Sequence, residues 1–569
     1  MAIYRSDQAV VTFGAEAALG GYPEAATSAT QTADTAVLSA DLAAGSLVVT
    51  VDALSGLAAG NMIRIGSPNA STGAQTALVE SEVRRIVAIT DSDTKIHLNA
   101  PTAHFHADDE RVTEITAIAD DSTDHDKYVT YIPGVYDTVT VPDFTPTIEP
   151  RYFLGTGSKR NFTAAYKGTQ SYNGSWPSFI LLNGWPLRFP IGTVNSTSAT
   201  RGGSLTLNGD SKAGDTFITV SASTGINANV YLNIGTSGTS KQEIVRCVST
   251  QSASTAVRLT TPLKYDHAGG GDAGTAEEVK IASGVATHVI EESNVLPSIS
   301  MGVHMLDSSE TAANSFDRKF FGGKVGAATL SAEEGGLLVM GWDSIPFMGM
   351  AHNQKDDDNV TGNTPFYQLN HVMDRTIVGS KTGTAGALTY PTTDPYYFSE
   401  GTVTLFGTEF ARIRNFTLNI NNNVEPRYYI ERRGDSRARG PSDIVEMRRE
   451  YTMDATIALP DSQAATSATT TLFKELLLEG DFGSGMRGFN IKLEFSRGTN
   501  DTITIQIPDD GDGTAPTGST GAATGLDEQG AYLLEAPHPI DGSNPYEVSA
   551  SMMFRNLKIT VVDSQLLYP

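Results

Sequence analysis

The arginines most able to make specific contacts are gathered in one short stretch of an otherwise acidic sequence. Arginine can bind a carboxylate through two parallel hydrogen bonds, so such a cluster suits contacts with an acidic neighbouring subunit. A solvated hairpin with no partner is the alternative interpretation. The candidate intersubunit contacts are Arg432, Arg433, Arg437 and Arg439, with Arg448 and Arg449 shortly after them.

Two aspartate-rich runs, 356–358 and 509–512, have the residue type that calcium prefers. Neither fits the twelve-residue calcium-binding loop, because position 12 counted from Asp509 is Thr520 rather than a glutamate. We therefore interpret both runs as solvated loops rather than calcium sites.

The remaining reactive side chains form no enzyme motif. The sequence has no GxSxG elbow, no HExxH and no phosphate-binding P-loop. His104 and His106 are two residues apart in a predicted turn, and only His106 recurs in a second copy of the same sequence, as His267. Turn or packing roles are favoured over metal binding. We predict no catalytic, cofactor-binding or metal-binding residues, no cofactor and no enzymatic activity.

The overall composition excludes several classes of protein. The 569 residues include 65 acidic and 40 basic side chains, a net charge of −25 that repels nucleic-acid phosphates. A single cysteine, Cys247, excludes an intramolecular disulfide. No run approaches the ~18 apolar residues of a membrane span, and the N-terminus lacks the features of a signal peptide. We expect a soluble protein made in a reducing cytoplasm.

An internal repeat organises the first half of the chain. Residues 43–66 and 212–235 share nine identities in 24 positions, and the likeness continues to His106 and His267. Apolar and polar residues alternate in short runs in both copies, which predicts a small all-β barrel of four to six strands for each. Cys247 aligns with Ile86 on one of these strands, so we expect it to be a buried apolar residue.

A second, shorter repeat, which we call the EPRY echo, links the two halves of the chain. Residues 148–152 read IEPRY, and residues 424–428 read VEPRY. Each is followed by a loop with glycine and arginine, then by a strand-like segment and a helix-like one. In the second half that last segment, 470–480, has apolar residues at helical spacing and is predicted to be an amphipathic helix. The matching order favours two paralogous domains.

Outside the repeats the chain alternates apolar and polar residues in many short runs, as in Thr502–Ile507. This pattern is typical of an antiparallel sandwich or barrel with one buried face. The linker-like stretches are 351–392 and 509–526.

Several of these strands resemble tail tube proteins of long-tailed phages. FFGGKVGAATLSAEEGGLLVMGWDSIPF (320–347) is similar to the strand–turn–strand that ends the first half of the two-domain members. The opening of their second half is similar to GTVTLFGTEFARIRNFTLNINNNVEPRYYI (401–430). A short strand that precedes their counterpart of segment 320–347 is similar to ATHVI (286–290). These proteins close on a strand pair like the one predicted from Tyr546 to Asp563.

The resemblance implies an all-β fold with a few short helices. It comprises two tail-tube-type sandwich or barrel domains and two inserted small β-barrel domains. We call the inserts insert 1 (residues 35–118) and insert 2 (residues 200–280). The first tail-tube domain would comprise 1–34, 119–199 and 281–350, and the second 393–569, with 351–392 as a linker.

The resemblance further implies a non-enzymatic virion structural protein of the tail, assembled in the host cytoplasm. Stacked homo-oligomeric rings, expected to be trimeric, would form the tube through which viral DNA is ejected, and the inserts would decorate its outer wall. The implied partners are the tape measure protein, the tail terminator and tip proteins, and DNA passing without specific binding; no membrane is implied. A cell-surface or adhesin-like modular β binding protein is the alternative.

Overall fold

The computed structural model is almost entirely β. It describes residues 4–16, 29–59, 61–67, 82–91, 94–98, 101–102, 105–118, 130–131, 133–142, 145–152, 164–222, 225–226, 230–236, 239, 241–250, 255–259, 261–270, 275–307, 316–352, 394–405, 409–410, 412–429, 440–458, 488–507, 526–527, 531–537 and 547–568. The predicted helix 470–480, the run 509–525 and most of the linker 351–392 lie outside these residues.

The strands as far as insert 2 are β1 (Tyr4–Ala15), β2 (Ala29–Val37), β3 (Val48–Thr50), β4 (Met62–Ser67), β5 (Glu82–Thr90), β6 (Lys95–Leu98), β7 (Arg111–Ile118), β8 (Thr130–Tyr131), β9 (Gly134–Val135), β10 (Thr145–Arg151), β11 (Ala164–Leu181), β12 (Gly192–Thr206), β13 (Phe217–Thr219), β14 (Tyr231–Ile234), β15 (Glu243–Thr250) and β16 (Ala256–Leu259). Between β11 and β12 lie a 3-10 turn, Trp185–Leu187, and the helix α1, Arg188–Ile191.

The later strands are β17 (Glu278–Glu292), β18 (Ile299–Asp307), β19 (Phe316–Gly323), β20 (Ala327–Glu333), β21 (Val339–Phe347), β22 (Gly349–His352), β23 (Gly401–Leu405), β24 (Glu409–Phe410), β25 (Arg412–Asn421), β26 (Glu425–Arg427), β27 (Asp443–Val445), β28 (Glu450–Ala458), β29 (Gly488–Phe489), β30 (Ile491–Ser496), β31 (Thr502–Ile507), β32 (Leu526–Asp527), β33 (Tyr532–Glu535), β34 (Glu547–Phe554) and β35 (Lys558–Asp563). A 3-10 turn, Phe398–Glu400, precedes β23.

Two large sheets contain strands from both halves of the chain. The long sheet has the order β10-β11-β21-β20-β25-β28-β34-β33, with β9 also on β11. Its seam is the antiparallel pair β20–β25, which runs from Ala327 opposite Asn421 to Glu333 opposite Asn415. Because backbone hydrogen bonds cross this seam, the two halves are parts of one sheet.

The insert-bearing sheet has the order β13-β16-β15-β14-β17-β35-β31-β30-β23-β24, with β12 also paired to β17. Its seam is β17–β35, from Ala286 opposite Asp563 to Glu291 opposite Lys558. The prediction that the two strands between Tyr546 and Asp563 pair with each other is therefore wrong. The strands β34 and β35 are present, but they belong to different sheets, and apolar residues of both lie in the same hydrophobic core.

A single hydrophobic core lies under both large sheets and includes residues from both halves. All three tryptophans of the chain, Trp176, Trp185 and Trp342, are buried in it around Phe13. The Phe13 ring centroid lies 4.9 Å from that of Trp342 and 5.5 Å from that of Trp185. A five-stranded sheet, β22-β19-β18-β1-β8, contributes Phe13 and completes this core.

The helix α1 ends at a glycine that the geometry requires. Gly192 has φ of 151°, and a Cβ at that position would lie 2.4 Å from the backbone nitrogen of Ser293. Glycine alone permits this turn, which starts the 15-residue strand β12 that leads into insert 2.

Each insert has a hydrophobic cluster of its own. Insert 1 is a six-stranded sheet with the order β2-β7-β4-β5-β6-β3, within the predicted range of strand number. In insert 2 the thiol-bearing side chain of Cys247 is fully buried in the cluster, opposite Leu259 on the neighbouring strand, which confirms its predicted role in packing.

Candidate functional site

The predicted contact residues Arg432, Arg433, Arg437 and Arg439 lie outside the described residues, so their role stays a prediction. Of the two arginines that follow them, Arg449 is held in place: Nε donates to Asn422 Oδ1 at 2.7 Å and Nη2 donates to the Ser293 carbonyl at 3.0 Å. Arg448 has a side chain that is 84 % exposed, 3.6 Å from Glu450. Arg449 thus joins the segments that contain Asn422 and Ser293, whereas Arg448 faces solvent.

The candidate functional surface is the solvent-facing side of the long sheet. On β20, β25, β28 and β34 the buried residues alternate with outward ones, as the side-chain period of two requires. Most outward positions carry short polar side chains: Thr329, Ser331, Asn415, Thr417, Asn419, Thr452, Asp454, Thr456, Ser549 and Ser551. Met553 on β34, 41 % exposed, is an apolar exception. We call this surface the polar face.

The register of the strands arranges the polar face in straight rows across the seam. One row runs Ser331, Thr417, Asp454, Ser551, and the next runs Thr329, Asn419, Thr452, Met553. Each row begins in the first half of the chain and ends in the second. Sequence reasoning found the alternation of these strands but missed the rows, because no local pattern indicates which strands pair.

Acidic groups dominate the charge of the polar face. The Asp343 carboxylate accepts a hydrogen bond from the Thr329 hydroxyl at 2.8 Å, and the Asp454 carboxylate accepts one from the Ser551 hydroxyl at 2.5 Å. Within the described strands β20, β25, β28 and β34, the basic residues are Arg412 and Arg414, both at one end of β25. Arg414 is engaged by Glu547 at 2.9 Å and by Glu334 at 3.3 Å.

Two hairpins carry exposed apolar side chains: β10–β11 at the edge of the long sheet, and the separate pair β26–β27. We call them the ribbons. They contain the two EPRY echoes, which the structure places in equivalent hairpins: Glu149 pairs with Arg151 at 2.5 Å and Glu425 with Arg427 at 2.8 Å. The Tyr428 hydroxyl donates to the carbonyl of Gln170 at 3.1 Å, which joins the ribbons. Their exposed apolar residues are Ile148, Tyr152, Tyr166, Tyr428, Tyr429 and Met447.

A buried ionic network occupies the centre of insert 1. The imidazole of His106 bonds Glu82 through Nε2 at 2.8 Å and Glu110 through Nδ1 at 2.9 Å. Burial alone lowers the pKa of His106, but its bonds to the two carboxylates outweigh that effect and raise it to about 9. Arg84 also pairs with Glu82, at 2.5 Å, with both side chains fully buried.

Insert 2 repeats this network around the equivalent histidine. His267 bonds Glu243 through Nε2 at 3.0 Å and Glu277 through Nδ1 at 2.7 Å. The two carboxylates raise its pKa against the lowering effect of burial. The recurrence of His106 as His267 therefore reflects a repeated buried hydrogen-bond network rather than only a turn or packing role. His104 lies outside the described residues.

Two further features bear on function. Across the described part of the chain, no group of three histidine, cysteine, aspartate or glutamate side chains is arranged to hold a metal ion. The helices that the structure describes include none long and apolar enough to cross a membrane.

Comparison with known proteins identifies the chain. A search of curated proteins finds no match. The profile of the phage tail tube protein family matches residues 6–549, nearly the whole length and both halves, inserts included. The all-β architecture agrees with that match. The chain belongs to the phage tail tube protein family, and it is a structural protein of the virion tail.

Proposed function

We propose that the chain polymerises into stacked rings of three copies, which form the tube through which viral DNA leaves the virion. The observation that carries this proposal is the polar face, a surface of mostly short polar and acidic side chains made by both halves of the chain. A wall of this kind attracts water and repels phosphate, so DNA can slide along it without binding.

Closure of the long sheet supports the same arrangement. Its edge strands are β10 on one side and β33 on the other. Three copies placed edge to edge would make one continuous wall with the polar face inside, and closure removes the exposed edges that otherwise promote aggregation. The two halves of three chains also provide the six similar units of a pseudo-sixfold ring.

The ribbons supply candidate contacts between copies. The two ribbons expose Ile148, Tyr152 and Tyr429 at 61, 68 and 59 %. Large exposed apolar groups of this kind mark surfaces that bind other proteins. The arginines 432, 433, 437 and 439 follow Tyr429 in the chain, and we propose that they meet carboxylates of the neighbouring ring or subunit.

The two inserts would then lie on the outer wall, outside the tail-tube domains of residues 1–34, 119–199, 281–350 and 393–569. The tape measure protein would occupy the tube before ejection, and the terminator and tip proteins would cap its ends. No enzymatic step is needed for this role.

Electron microscopy of the purified full chain, alone and with tail tip complexes as nucleators, tests the proposal. We expect hollow tubes built from threefold rings with projections on the outside. Charge reversal of Arg432 and Arg433 should shorten the tubes, because it weakens ring stacking. A chain that stays monomeric at high concentration with nucleators present would contradict the proposal, as would inserts that lie in the lumen.

A further inference from the structure

The two halves of the long sheet share one strand order and one pairing pattern. The first half contributes β10-β11-β21-β20, and the second contributes β25-β28-β34-β33. Thr145 at the start of β10 lies opposite Ser171, and Asn421 at the end of β25 lies opposite Glu450. Each of these pairs stands the same number of residues before its EPRY echo. The start of β10 is therefore the counterpart of the end of β25.

The middle strands extend this equivalence. Tyr172 lies opposite Phe347 in the first half, and Tyr451 lies opposite Phe554 in the second. The same two residue types thus occupy equivalent positions. Because the register is the same in both halves, side chains at equivalent positions lie on the same face of the sheet.

The last strand of each half is equivalent as well. Ala327 of β20 lies opposite Ser344, and Glu535 of β33 lies opposite Ser551. Both serines stand the same number of residues before the phenylalanines just named. The edge strand β33 is thus the counterpart of the start of β20. The seam β20–β25 inside the chain therefore has an open counterpart, which consists of the two edges β33 and β10.

The seam contains an apolar contact whose counterpart is exposed. A Cβ on Gly326 would lie 2.7 Å from Cγ2 of Val424, so Val424 packs against the backbone there. The counterpart of Val424 is Ile148, and the counterpart of Gly326 is Leu534, the residue before Glu535. Ile148 is 61 % exposed and Leu534 is 54 % exposed. Two large apolar side chains are thus uncovered at the two edges, at the positions of a contact that the chain makes internally.

A tyrosine contact follows the same pattern. The Tyr428 hydroxyl, in the second-half echo, donates to the carbonyl of Gln170 in the first half at 3.1 Å. By the same register their counterparts are Tyr152, in the first-half echo, and Arg449 in the second half. Tyr152 is 68 % exposed. The acceptor is a backbone carbonyl, so the different side chains of Gln170 and Arg449 do not alter it.

We propose that neighbouring copies in a ring meet through a repetition of the chain's own seam. Ile148 of one copy packs on Leu534 of the next copy, and the Tyr152 hydroxyl donates to the Arg449 carbonyl of that same neighbour. This inference rests on the proposed edge-to-edge ring and specifies its register. The contact is heterologous, so it continues from copy to copy until the ring closes.

One backbone bond of the seam cannot recur between copies. The N–H of Asn422 donates to the Gly326 carbonyl at 2.8 Å. The counterpart of Asn422 is Pro146, which has no N–H. The contact between copies therefore depends more on side chains than the seam does. Proline on an edge strand also limits unwanted strand pairing before assembly.

Single cysteines at the two apolar positions test the register. Ile148→Cys and Leu534→Cys chains are mixed, assembled under reducing conditions and then oxidised; the native Cys247 is fully buried. We expect disulfide-linked dimers that contain one chain of each kind. A chain that carries both substitutions should give covalent trimers as its largest species on a denaturing gel, because each ring would close after three copies.

An exposed residue away from the interface supplies the matched control. Val135 is 50 % exposed and lies on β9, opposite Ile180, at the other end of β11 from Gln170. Val135→Cys mixed with Leu534→Cys should give at least tenfold less linked dimer than Ile148→Cys mixed with Leu534→Cys.

The tyrosine contact is tested separately. Tyr152→Phe keeps the aromatic ring and removes the hydroxyl, so the chain concentration needed for assembly should rise about fivefold, the effect of one lost hydrogen bond. Tyr397→Phe changes an exposed tyrosine at the opposite end of the sheet and should leave that concentration unchanged. Equal concentrations for Tyr152→Phe and wild type would remove this bond from the interface.

Electron microscopy of the cysteine-bearing samples separates the two proposals. Tubes that contain both single-cysteine chains but yield no mixed dimer would overturn this register and leave the conduit intact. Covalent trimers from chains that form no tubes would contradict the conduit alone. Linked species of more than three chains would support the contact and contradict the ring of three copies.

Discussion

The imidazole of His288 stacks on the phenol ring of Tyr568, with ring centroids 3.7 Å apart and planes inclined by 12°. His288 lies on β17 in the first half of the chain, and Tyr568 is the penultimate residue. The Tyr568 hydroxyl donates to Asp563 at 2.5 Å, and His288 Nδ1 lies 2.8 Å from the Ser196 hydroxyl. The end of the chain therefore holds the seam β17–β35 closed.

Tyr568→Ala should lower the free energy of unfolding by about 3–5 kcal/mol, the usual cost of removing a fully buried aromatic ring. Tyr568→Phe keeps the stack and loses only the bond to Asp563, so it should cost about 1–2 kcal/mol. Chemical denaturation at one fixed protein concentration measures both. Equal losses in the two variants would show that the ring stack contributes nothing.

The stabilisation that His106 gives to insert 1 should decrease as the pH rises from neutral to alkaline. Its pKa is raised from 6.5 to about 9 in the folded state, so its stabilising effect is fully present below pH 6.5 and disappears as the pH rises through 9. The shift corresponds to about 3 kcal/mol. The difference in unfolding free energy between wild type and His106→Gln should be largest near pH 6 and shrink by pH 10. A constant difference would contradict this.

Two Glu–Arg pairs with the same sequence spacing should contribute very different amounts to the free energy of unfolding. Arg84 is fully buried against Glu82, and its Nε donates to the carbonyl of Pro101 at 3.0 Å. Arg84→Met leaves a buried carboxylate with less compensation and should cost about 3–5 kcal/mol. Arg151→Met, in the exposed pair with Glu149, should cost less than about 1 kcal/mol. Thermal denaturation of both variants checks the contrast, and similar losses would refute it.

A basic polar face should retain DNA. The double change Asp343→Lys and Asp454→Lys alters outward residues of the long sheet, so we expect tubes to assemble and to bind short duplex DNA at low salt. The affinity should fall steeply as salt rises, because binding would depend on released counterions. Asp343→Asn with Asp454→Asn is the matched control and should bind little. DNA that passes the basic tube as freely as wild type would argue against a lumen at this face.

The ribbons should matter for assembly but not for folding. Ile148→Asp changes a residue that is 61 % exposed in the single chain, so the unfolding free energy should stay within about 0.5 kcal/mol of wild type. Assembly should be strongly impaired, because a charge would be buried at the contact between copies. Sedimentation of tubes measures the loss; wild-type assembly by this variant would exclude the ribbon from the interface.

Local patterns in the sequence predicted individual elements well. Alternation from Thr502 to Ile507 coincides with β31, and the alignment of Cys247 with Ile86 placed both in buried strands. These predictions succeeded because side-chain periodicity depends on neighbouring residues and repeat equivalence follows from an alignment, so neither requires knowing which strands pair. The EPRY echo likewise marked two equivalent hairpins.

Long-range pairing could not be predicted in the same way. Nothing near Ala327 indicates that it pairs with Asn421, so the two seams and the rows of the polar face emerged only from the structure. The pairing of Arg258 in insert 2 with Glu110 in insert 1 was missed for a related reason: the repeat equivalent of Arg258 is His97, so the alignment shows no likeness there. The His106 network could have been found, because Glu82 and His106 recur together as Glu243 and His267.

The strands β12 and β17 determine how force on insert 2 reaches the rest of the molecule. Both have 15 residues, about 50 Å when extended, and they stay paired from Gly192 opposite Glu292 to Thr206 opposite Glu278. No hinge interrupts this ladder, only two bulges, and β17 continues as the partner of β35. A pull on insert 2 along these strands therefore loads the backbone hydrogen bonds of the ladder in shear, so insert 2 is stiffly joined to the main body rather than held by a flexible tether.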